Sequence, residues 1–420
     1  MSSIDRRTFV RRSIGLAGAA GAGALGAERL AHPAAARADD GSAGAVAEKA
    51  REQGIDAGVL DSVAFDGPHQ AGILTPVQAH ATVAALDAVA PDRNALMFAL
   101  QALTARARNL SVGAVSPLFE VDAPPYDSGI LGPDVAPGGL TITIGFGASL
   151  FDDRYGLKDR KPEKLERMPP FAGEDLDASQ THGDVLLQIC ADQRDTVVHA
   201  LREIMRATRG SLELRWAVDG FAGARRGPTP KASPRNLFAF RDGTANPDVK
   251  DTNVMNRLVW DARGGSYQVV RLIRMHVEFW DRVGLREQEN MIGRARDSGA
   301  PLGGDDEFQD PRYDLDPKGR RVPLDAHIRL ANPRTQATED QRFLRRPYNY
   351  HRGFDSAGSL DQGMLFMAYN QDPARQFATV QNRLADEPMV DYFTHVGGGY
   401  FYAPRGTGGK AGWIGQDFFA

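Results

Sequence analysis

One cysteine, Cys190, occurs in 420 residues. A single thiol excludes an intramolecular disulfide and a thiolate metal cluster, and its place in the apolar run DVLLQIC reads as a buried strand position. Charge of one sign is missing too. With 50 basic against 54 acidic residues the chain carries −4, which leaves no electrostatic footprint for nucleic acid or an anionic membrane surface. There is no Gly-x-Ser-x-Gly elbow, no Walker loop and no His-Glu-x-x-His helix, and no two of the nine histidines stand at zinc-ligand spacing. Asp242, Thr244, Asn246 and Asp248 alternate as in a calcium loop. The pattern fails because Pro247 stands where glycine is required and Asn253 where a bidentate glutamate is required.

What is present begins with an address. Arg6, Arg7, Arg11 and Arg12 precede a Gly/Ala-rich apolar stretch from Ile14 to Ala27, and Ala36-Arg37-Ala38 ends the segment. This is a signal-peptide layout, too short and glycine-rich for a membrane span. DRRTFVR resembles the twin-arginine export signal. The expectation is export by the twin-arginine translocation machinery to an extracellular or periplasmic, cell-envelope location. Cleavage after Ala38 removes six arginines and two acids and leaves about −8. Cargo of that route often crosses the membrane folded around a cofactor.

After a polar lead over 39–60, the mature chain alternates strands and helices. A strand is expected near VAFDGPHQAGIL (63–74), then a helix in PDRNALMFALQALTARARNL capped by Asp92, then half-buried strands in LTITIGFG, DVLLQIC and LELRWAV. A helix with Val197, Leu201, Ile204 and Thr208 on one face separates the last two. Strand, helix, strand, strand, helix, strand is a ferredoxin-like unit. SYQVVRLIRMHVEFW, GMLFMAYNQDPARQFATVQNRL and GGYFYAPR repeat that order without repeating its residues. The predicted fold class is therefore α+β: two ferredoxin-like units of the dimeric α+β barrel type, over 61–225 and 235–420, with antiparallel sheets and peripheral helices. Residues 297–323, dense in Asp, Gly and Pro, read as a long loop of the kind that is usually functional.

A single axial histidine on a haem needs no ligand spacing, because the porphyrin supplies four nitrogens. His327, in LDAHIRLANPR, has Arg329 and Arg334 beside it as cations for propionates, and Ile328 and Leu330 as apolar contacts. On the residues alone a satisfied surface histidine is the commoner fate.

FAFRDGTANPD, AHIRLANPR, FLRRPYNYHRG and EPMVDYFTHVGGGYFYAPRG, in that order, resemble the dye-decolourising peroxidases, specifically their twin-arginine-exported branch. HQAGILTPVQAH and the ending WIGQDFFA share the likeness, which covers essentially the whole mature chain. The resemblance implies one haem b per chain in the second unit, and hydrogen peroxide and an organic reductant as partners. It implies oxidation of bulky dye-like or phenolic substrates through an oxyferryl intermediate, and leaves room for a homodimer. Exported relatives add two alternatives, iron release from haem with the porphyrin intact (a deferrochelatase) and haem carriage without turnover.

Carried over by position, the family's Gly-x-x-Asp-Gly falls on Ala239 to Gly243. Asp242 becomes the distal acid/base and His327 the proximal iron ligand. Arg345 is matched to the distal arginine, with Arg346 one position away. Gly243, Thr244, Ala245, Arg329, Asn332, Pro333, Arg334 and Arg345 are matched to haem contacts. Asp391 is the first candidate to hold the second ring nitrogen of His327, and Glu387 the second. The chain departs from the pattern at Ala239, where glycine is usual, and a slightly different local backbone is expected there. An Asp, with a reference pKa of about 3.9 against histidine's ~6.5, remains a base in acid, so an acidic optimum is expected. Electrons from bulky reductants are expected to enter through surface aromatics among Trp216, Trp260, Trp280, Trp413, Tyr348, Tyr350, Tyr400 and Tyr402.

Overall fold

The computed structural model describes residues 61–113, 122, 124–133, 135–223 and 232–420; the expected leader (1–38) and polar lead (39–60) lie outside the described residues. The first half contains β1 (His80–Ala88), α1 (Arg93–Ser111), β2 (Thr141–Gly147), β3 (Val185–Ala191), α2 (Arg194–Ala207) and β4 (Leu212–Phe221). The second contains α3 (Thr252–Leu258), β5 (Ser266–Met275), α4 (Val277–Trp280), α5 (Leu285–Ile292), α6 (His327–Ala331), β6 (Leu344–Arg345), β7 (Tyr348–Phe354), β8 (Leu360–Asn370), α7 (Thr379–Arg383) and β9 (Phe393–Ala403). No helix among the described residues is long and apolar enough to cross a membrane.

Within the first half the strand order is β2-β3-β1-β4, and within the second it is β7-β8-β5-β9, all antiparallel. Both are the ferredoxin-like order. β2 joins β9 at Phe146↔Tyr402, and β4 joins β7 at Phe221↔Asn349. These two seams close the sheets into one barrel.

Closure corrects three sequence expectations. The first strand is β1, not 63–74, which is a run of turns interrupted by Pro68 and by Gly72 at φ 93°. The alanine-rich HATVAALDA of β1 has weak strand propensity and gave no signal. β2 and β3 are buried at every residue, not on one face, because one face lines the barrel and the other lies under helices. In β4, a bulge opposite Ala85 and Leu86 shifts the register, and Leu214, expected inside, is 49% exposed.

Val83, Leu186, Cys190, Val270, Leu272, Tyr348 and Phe401 fill the barrel. Outside it, Leu96, Leu100 and Leu103 of α1 and Val197 and Ile204 of α2 cover the first sheet. Asp92 caps α1 by accepting from the Ala95 amide at 2.9 Å. The buried face of α2 also carries His199 and Glu203, while the expected Leu201 is only half-buried.

Those two polar residues meet Arg106 of α1 and Asp127. Arg106 Nη2 lies 2.7 Å from Asp127 and 2.6 Å from Glu203, and His199 Nε2 lies 2.9 Å from Asp127. The guanidinium occupies the centre that a metal ion would need, so Asp127, His199 and Glu203 form a closed network that ties α1 to α2. Burial acts to raise both carboxyls. Gly129 and His199 on Asp127, and Ser128 and Arg106 on Glu203, outweigh it and hold both below the ordinary carboxyl range. A depressed folded-state pKa contributes stability that is present above the ordinary carboxyl range and lost as pH falls through it. Arg106→Met should therefore cost about 1–3 kcal/mol at neutral pH, because Asp127 is left with only His199 and the Gly129 amide, and Glu203 with only Arg206 and the Ser128 amide. In urea unfolding the deficit should shrink at acid pH as the carboxyls protonate; an equal deficit at both pH values counts against the network.

Candidate active site

The segment FAFRDGTANPD folds as a turn held from both sides. Asn236 Oδ1 accepts from the amides of Phe238 at 3.1 Å and Phe240 at 3.2 Å, and Asn236 N donates to Phe240 O at 2.9 Å. Phe238 and Phe240 are buried, and Ala239 between them is exposed at φ 69°. Alanine thus stands here at a positive φ, which glycine adopts far more readily. The two phenylalanine anchors and the Asn236 bonds impose a left-handed conformation on an alanine that disfavours it.

Downstream of the turn, Asp242 lines a cavity of about 240 Å³, which is room for far more than a bound water. Gly243, at φ 94°, turns the chain, and Thr244 and Ala245 join the lining. Asn246 then clamps β6: its Oδ1 accepts from Arg345 N at 3.0 Å and its Nδ2 donates to Arg345 O at 2.8 Å. This holds Arg345 so that its Nη1 lies 3.2 Å from Asp242 Oδ1. The guanidinium is not aligned to donate, and that buried carboxylate oxygen has no hydrogen bond.

Strand alternation separates the two neighbouring arginines. Arg345 faces the cavity. Arg346 is 3% exposed inside the barrel, donating to Thr75 O, Pro76 O and Gln78 Oε1. Arg241 is not the partner of Asp242 either; it donates to Ser233 O at 2.8 Å and lies 3.9 Å from Glu307.

His327 opens α6 and lines the same cavity. Its Nδ1 lies 2.6 Å from Oε2 of Glu387, which is 1% exposed. Burial acts to lower the imidazole pKa, and the charge and hydrogen bond of Glu387 outweigh it, so the value is raised. With Nδ1–H donated to the carboxylate, Nε2 keeps its lone pair and is the ring nitrogen free to bind a metal. Asp391, the first candidate for this partner, is instead exposed in a separate cleft beside Arg274 and His276. The short 3₁₀ turn Val390–Tyr392 carries Asp391 and follows Glu387, and the two acids line different clefts, which sequence alone did not show.

Asn332 and Arg334 line the cavity; Gly243 and Pro333 do not, and serve the turns that carry their neighbours. Arg329 is placed elsewhere. Its guanidinium donates to Val322 O at 2.9 Å and Asp316 O at 2.8 Å and stacks on the Tyr313 ring. It braces the long loop and does not reach the cavity lining. Sequence reasoning missed Asn236, Asn246, Arg294 and Tyr313, of which Arg294, Tyr313 and Asn236 line the cavity. Asn-rich turns next to the Asp carried the only signal. Of the eight aromatics expected at the surface, Trp413 alone is partly exposed and the other seven are buried.

The arrangement offers one metal-binding nitrogen, one carboxylate with an adjacent cation, and apolar walls that include Phe240, Ile273, Met364 and Phe366. It can hold a flat apolar metal complex and move a proton beside it. Comparison with known proteins points the same way. The sequence pattern described as Dyp-type peroxidase, N-terminal, matches residues 70–222, and that described as Dyp-type peroxidase, C-terminal, matches residues 233–408. A deferrochelatase of Yersinia pseudotuberculosis is 43% identical over 415 residues, covering 96% of this chain and 92% of its own. A deferrochelatase of Escherichia coli K12 is 46% identical over 354 residues, 82% and 84% of the two chains. The oxyferrous/water mixed complex of DtpA from Streptomyces lividans superposes with a TM-score of 0.78 at 32% identity, covering 87% of this chain and 99% of that one.

Because the Ala239 side chain is exposed and its backbone left-handed, Ala239→Gly should stabilise the protein by up to about 1 kcal/mol. Thermal unfolding of the two forms checks this; a lower midpoint for the glycine form would show that the turn does not strain alanine.

Proposed function

The chain belongs to the Dyp-type peroxidase family, whose structures hold haem, and from that premise we propose that it activates hydrogen peroxide with Asp242 and Arg345 at a haem that His327 would hold. The observation that carries this reading is one cavity containing both His327, braced by buried Glu387, and the Asp242–Arg345 pair.

The residues present fit a haem. His327 Nε2 is the nitrogen that would bind the iron, Asp242 Oδ1 is buried without a hydrogen bond, and apolar walls suit a macrocycle. Haem bound here supplies iron redox chemistry toward peroxide. The chain does the rest. Glu387 accepts the Nδ1 proton and fixes the ring and its tautomer. Asp242 would move a proton from one peroxide oxygen to the other, so that the departing oxygen could leave as water. Arg345, fixed by Asn246, offsets the negative charge that develops. A carboxyl in this role keeps the step running in acid, where an imidazole would be protonated. Bulky dye-like or phenolic reductants are the proposed electron donors. Export through the twin-arginine route, supported by Arg6-Arg7 and Ala36-Arg37-Ala38, completes the reading.

A second reading, iron release from haem with the porphyrin intact, is supported by the deferrochelatase names of relatives at 43–46% identity. It uses the same cavity and His327. A carrier without turnover has no use for Asp242 and Arg345.

Stopped-flow absorbance of the haem-loaded chain with one equivalent of peroxide separates these readings. Asp242→Ala should keep haem and slow the change by about 10²–10⁴-fold, whereas His327→Ala should lose haem on gel filtration. An Asp242→Ala rate equal to wild type overturns the proposed proton carrier. Ferrous iron trapped by a chelator together with free-porphyrin fluorescence, in the absence of peroxide turnover, would favour the second reading.

A further inference from the structure

Among the described residues, everything that lines the cavity lies between Asn236 and His395, so the first half of the chain contributes no wall. Arg346 nevertheless ties that half to the strand that carries Arg345. β6 is only two residues long and pairs with β8 at Tyr369 and Ala368. Its ladder ends at Arg346, whose amide donates to Met367 O at 2.8 Å, because Pro347 has no amide to donate. Pairing alone holds so short an element weakly. On the face opposite Arg345, the Arg346 side chain enters the barrel and is 3% exposed. Its Nη1 donates to Thr75 O, and its Nη2 to Pro76 O at 3.1 Å and to Gln78 Oε1. Gln78 is buried and fixed in turn, its Nε2 donating to Gly139 O at 2.9 Å and to Thr141 Oγ1 at 3.0 Å, where β2 begins. A chain of buried hydrogen bonds therefore runs from β2 through Gln78 and Arg346 to the strand that presents Arg345 to Asp242.

Packing does not call for a guanidinium at this position. Arg346 sits beside Cys190, Tyr348 and Tyr369 and makes no ion pair among the described residues. An apolar side chain would fill the same volume without burying an unpaired charge. What the planar fork alone supplies is two terminal nitrogens that reach three oxygens of one segment together. The pair it stands behind is sensitive to small displacements. Arg345 Nη1 stops 3.2 Å from Asp242 Oδ1 without the alignment to bond it, and a misplacement of about 1 Å at a reacting site can cost about 10²-fold in rate. Asn246 fixes the strand of Arg345 from within the second half; Arg346 fixes it against the first.

We propose that Arg346 is a positioning residue for the peroxide reaction, bolting the strand of Arg345 to Thr75, Pro76 and Gln78 so that the half that lines none of the cavity sets the geometry of the Asp242–Arg345 pair. The inference rests on the role given to Arg345 above and extends it to a residue that touches no ligand. Its consequence is that the two halves are joined at the site by hydrogen bonds as well as by the barrel seams.

The test is a double-mutant cycle on the haem-loaded chain with Arg346→Met and Arg345→Leu. It reads the second-order rate with peroxide and the affinity of the ferric form for fluoride, an anion that a guanidinium in the cavity stabilises by a charge-assisted hydrogen bond. Arg346→Met should slow the peroxide reaction by about tenfold or more and weaken fluoride by about tenfold, while haem absorbance per chain stays at the wild-type value. With Arg345 already replaced, the same substitution should change neither quantity, because nothing is left to position. Should Arg346→Met fail to fold, Arg346→Lys keeps the charge but offers one nitrogen in place of two, and Gln78→Met removes one acceptor; each should show a smaller loss of the same two quantities. A variant that unfolds at lower temperature yet meets peroxide and fluoride as wild type does overturns positioning, as does a loss of equal size with Arg345 present or absent. Arg345→Leu indistinguishable from wild type would overturn the role given to Arg345, and this inference with it.

Discussion

Closure of the sheet is the constraint on which the rest depends. Two seams, β2 with β9 and β4 with β7, turn two four-stranded sheets into a barrel, and the second rests on one register pair, Phe221↔Asn349. Asn349 reinforces it by donating from Nδ2 to Arg235 O at 3.0 Å, at the entrance to the Asp242 turn. Once the barrel is closed, strands of both halves have an inside and an outside that must both be filled. Apolar side chains and a few amides, Gln268 Nε2 donating to Gln188 Oε1 at 3.0 Å among them, fill the inside, and α1 and α2 cover the first sheet. Over the second sheet the cover is made of short helices and a long loop. That incomplete cover leaves the cavity.

Several separate segments reach this cavity, and side-chain amides and carboxylates hold those that carry Asp242, Arg345 and His327. Asn236 shapes the turn before Asp242, Asn246 locks Arg345, and Glu387 orients His327. Two non-glycine residues of these segments, Ala239 and Arg334, sit at positive φ. Strain of this kind persists where surrounding contacts over-determine the backbone. At Ala239 those contacts are visible: two buried phenylalanines and four hydrogen bonds.

The order of strands and helices was legible because amphipathic periodicity is local. β2, β3, α1, α2, β5, β8 and β9 all lie where alternation or helical spacing placed them. β1 escaped because alanine carries little strand preference, and β7 because YNYHRGF ends in exposed residues. The cavity residues Asp242, His327 and Arg345 came from motifs, which record chain position. The partner of His327 did not, because Glu387 and Asp391 are close in sequence and only the 3₁₀ turn Val390–Tyr392, which carries Asp391, delivers them to different clefts. Arg329 misled for a related reason. A cation two residues from a ligand on a short helix looks aimed at the same target, yet here it points back to Asp316 and Tyr313.

Three arginine environments show how hydrogen-bond completion tracks role. Arg106 meets two carboxylates at 2.6 and 2.7 Å and closes a network between helices, leaving nothing to offer a ligand. Arg345 sits 3.2 Å from Asp242 without the alignment to bond it, so both groups remain available to a third. Arg294 is buried with only carbonyls for partners. Burying a charge in this last way is costly unless something compensates it. A fold that completes its ionic network at Arg106 but leaves two arginines incomplete at one cavity has concentrated its unmet electrostatics where a ligand enters. The charge left there is positive and the wall beside it is apolar.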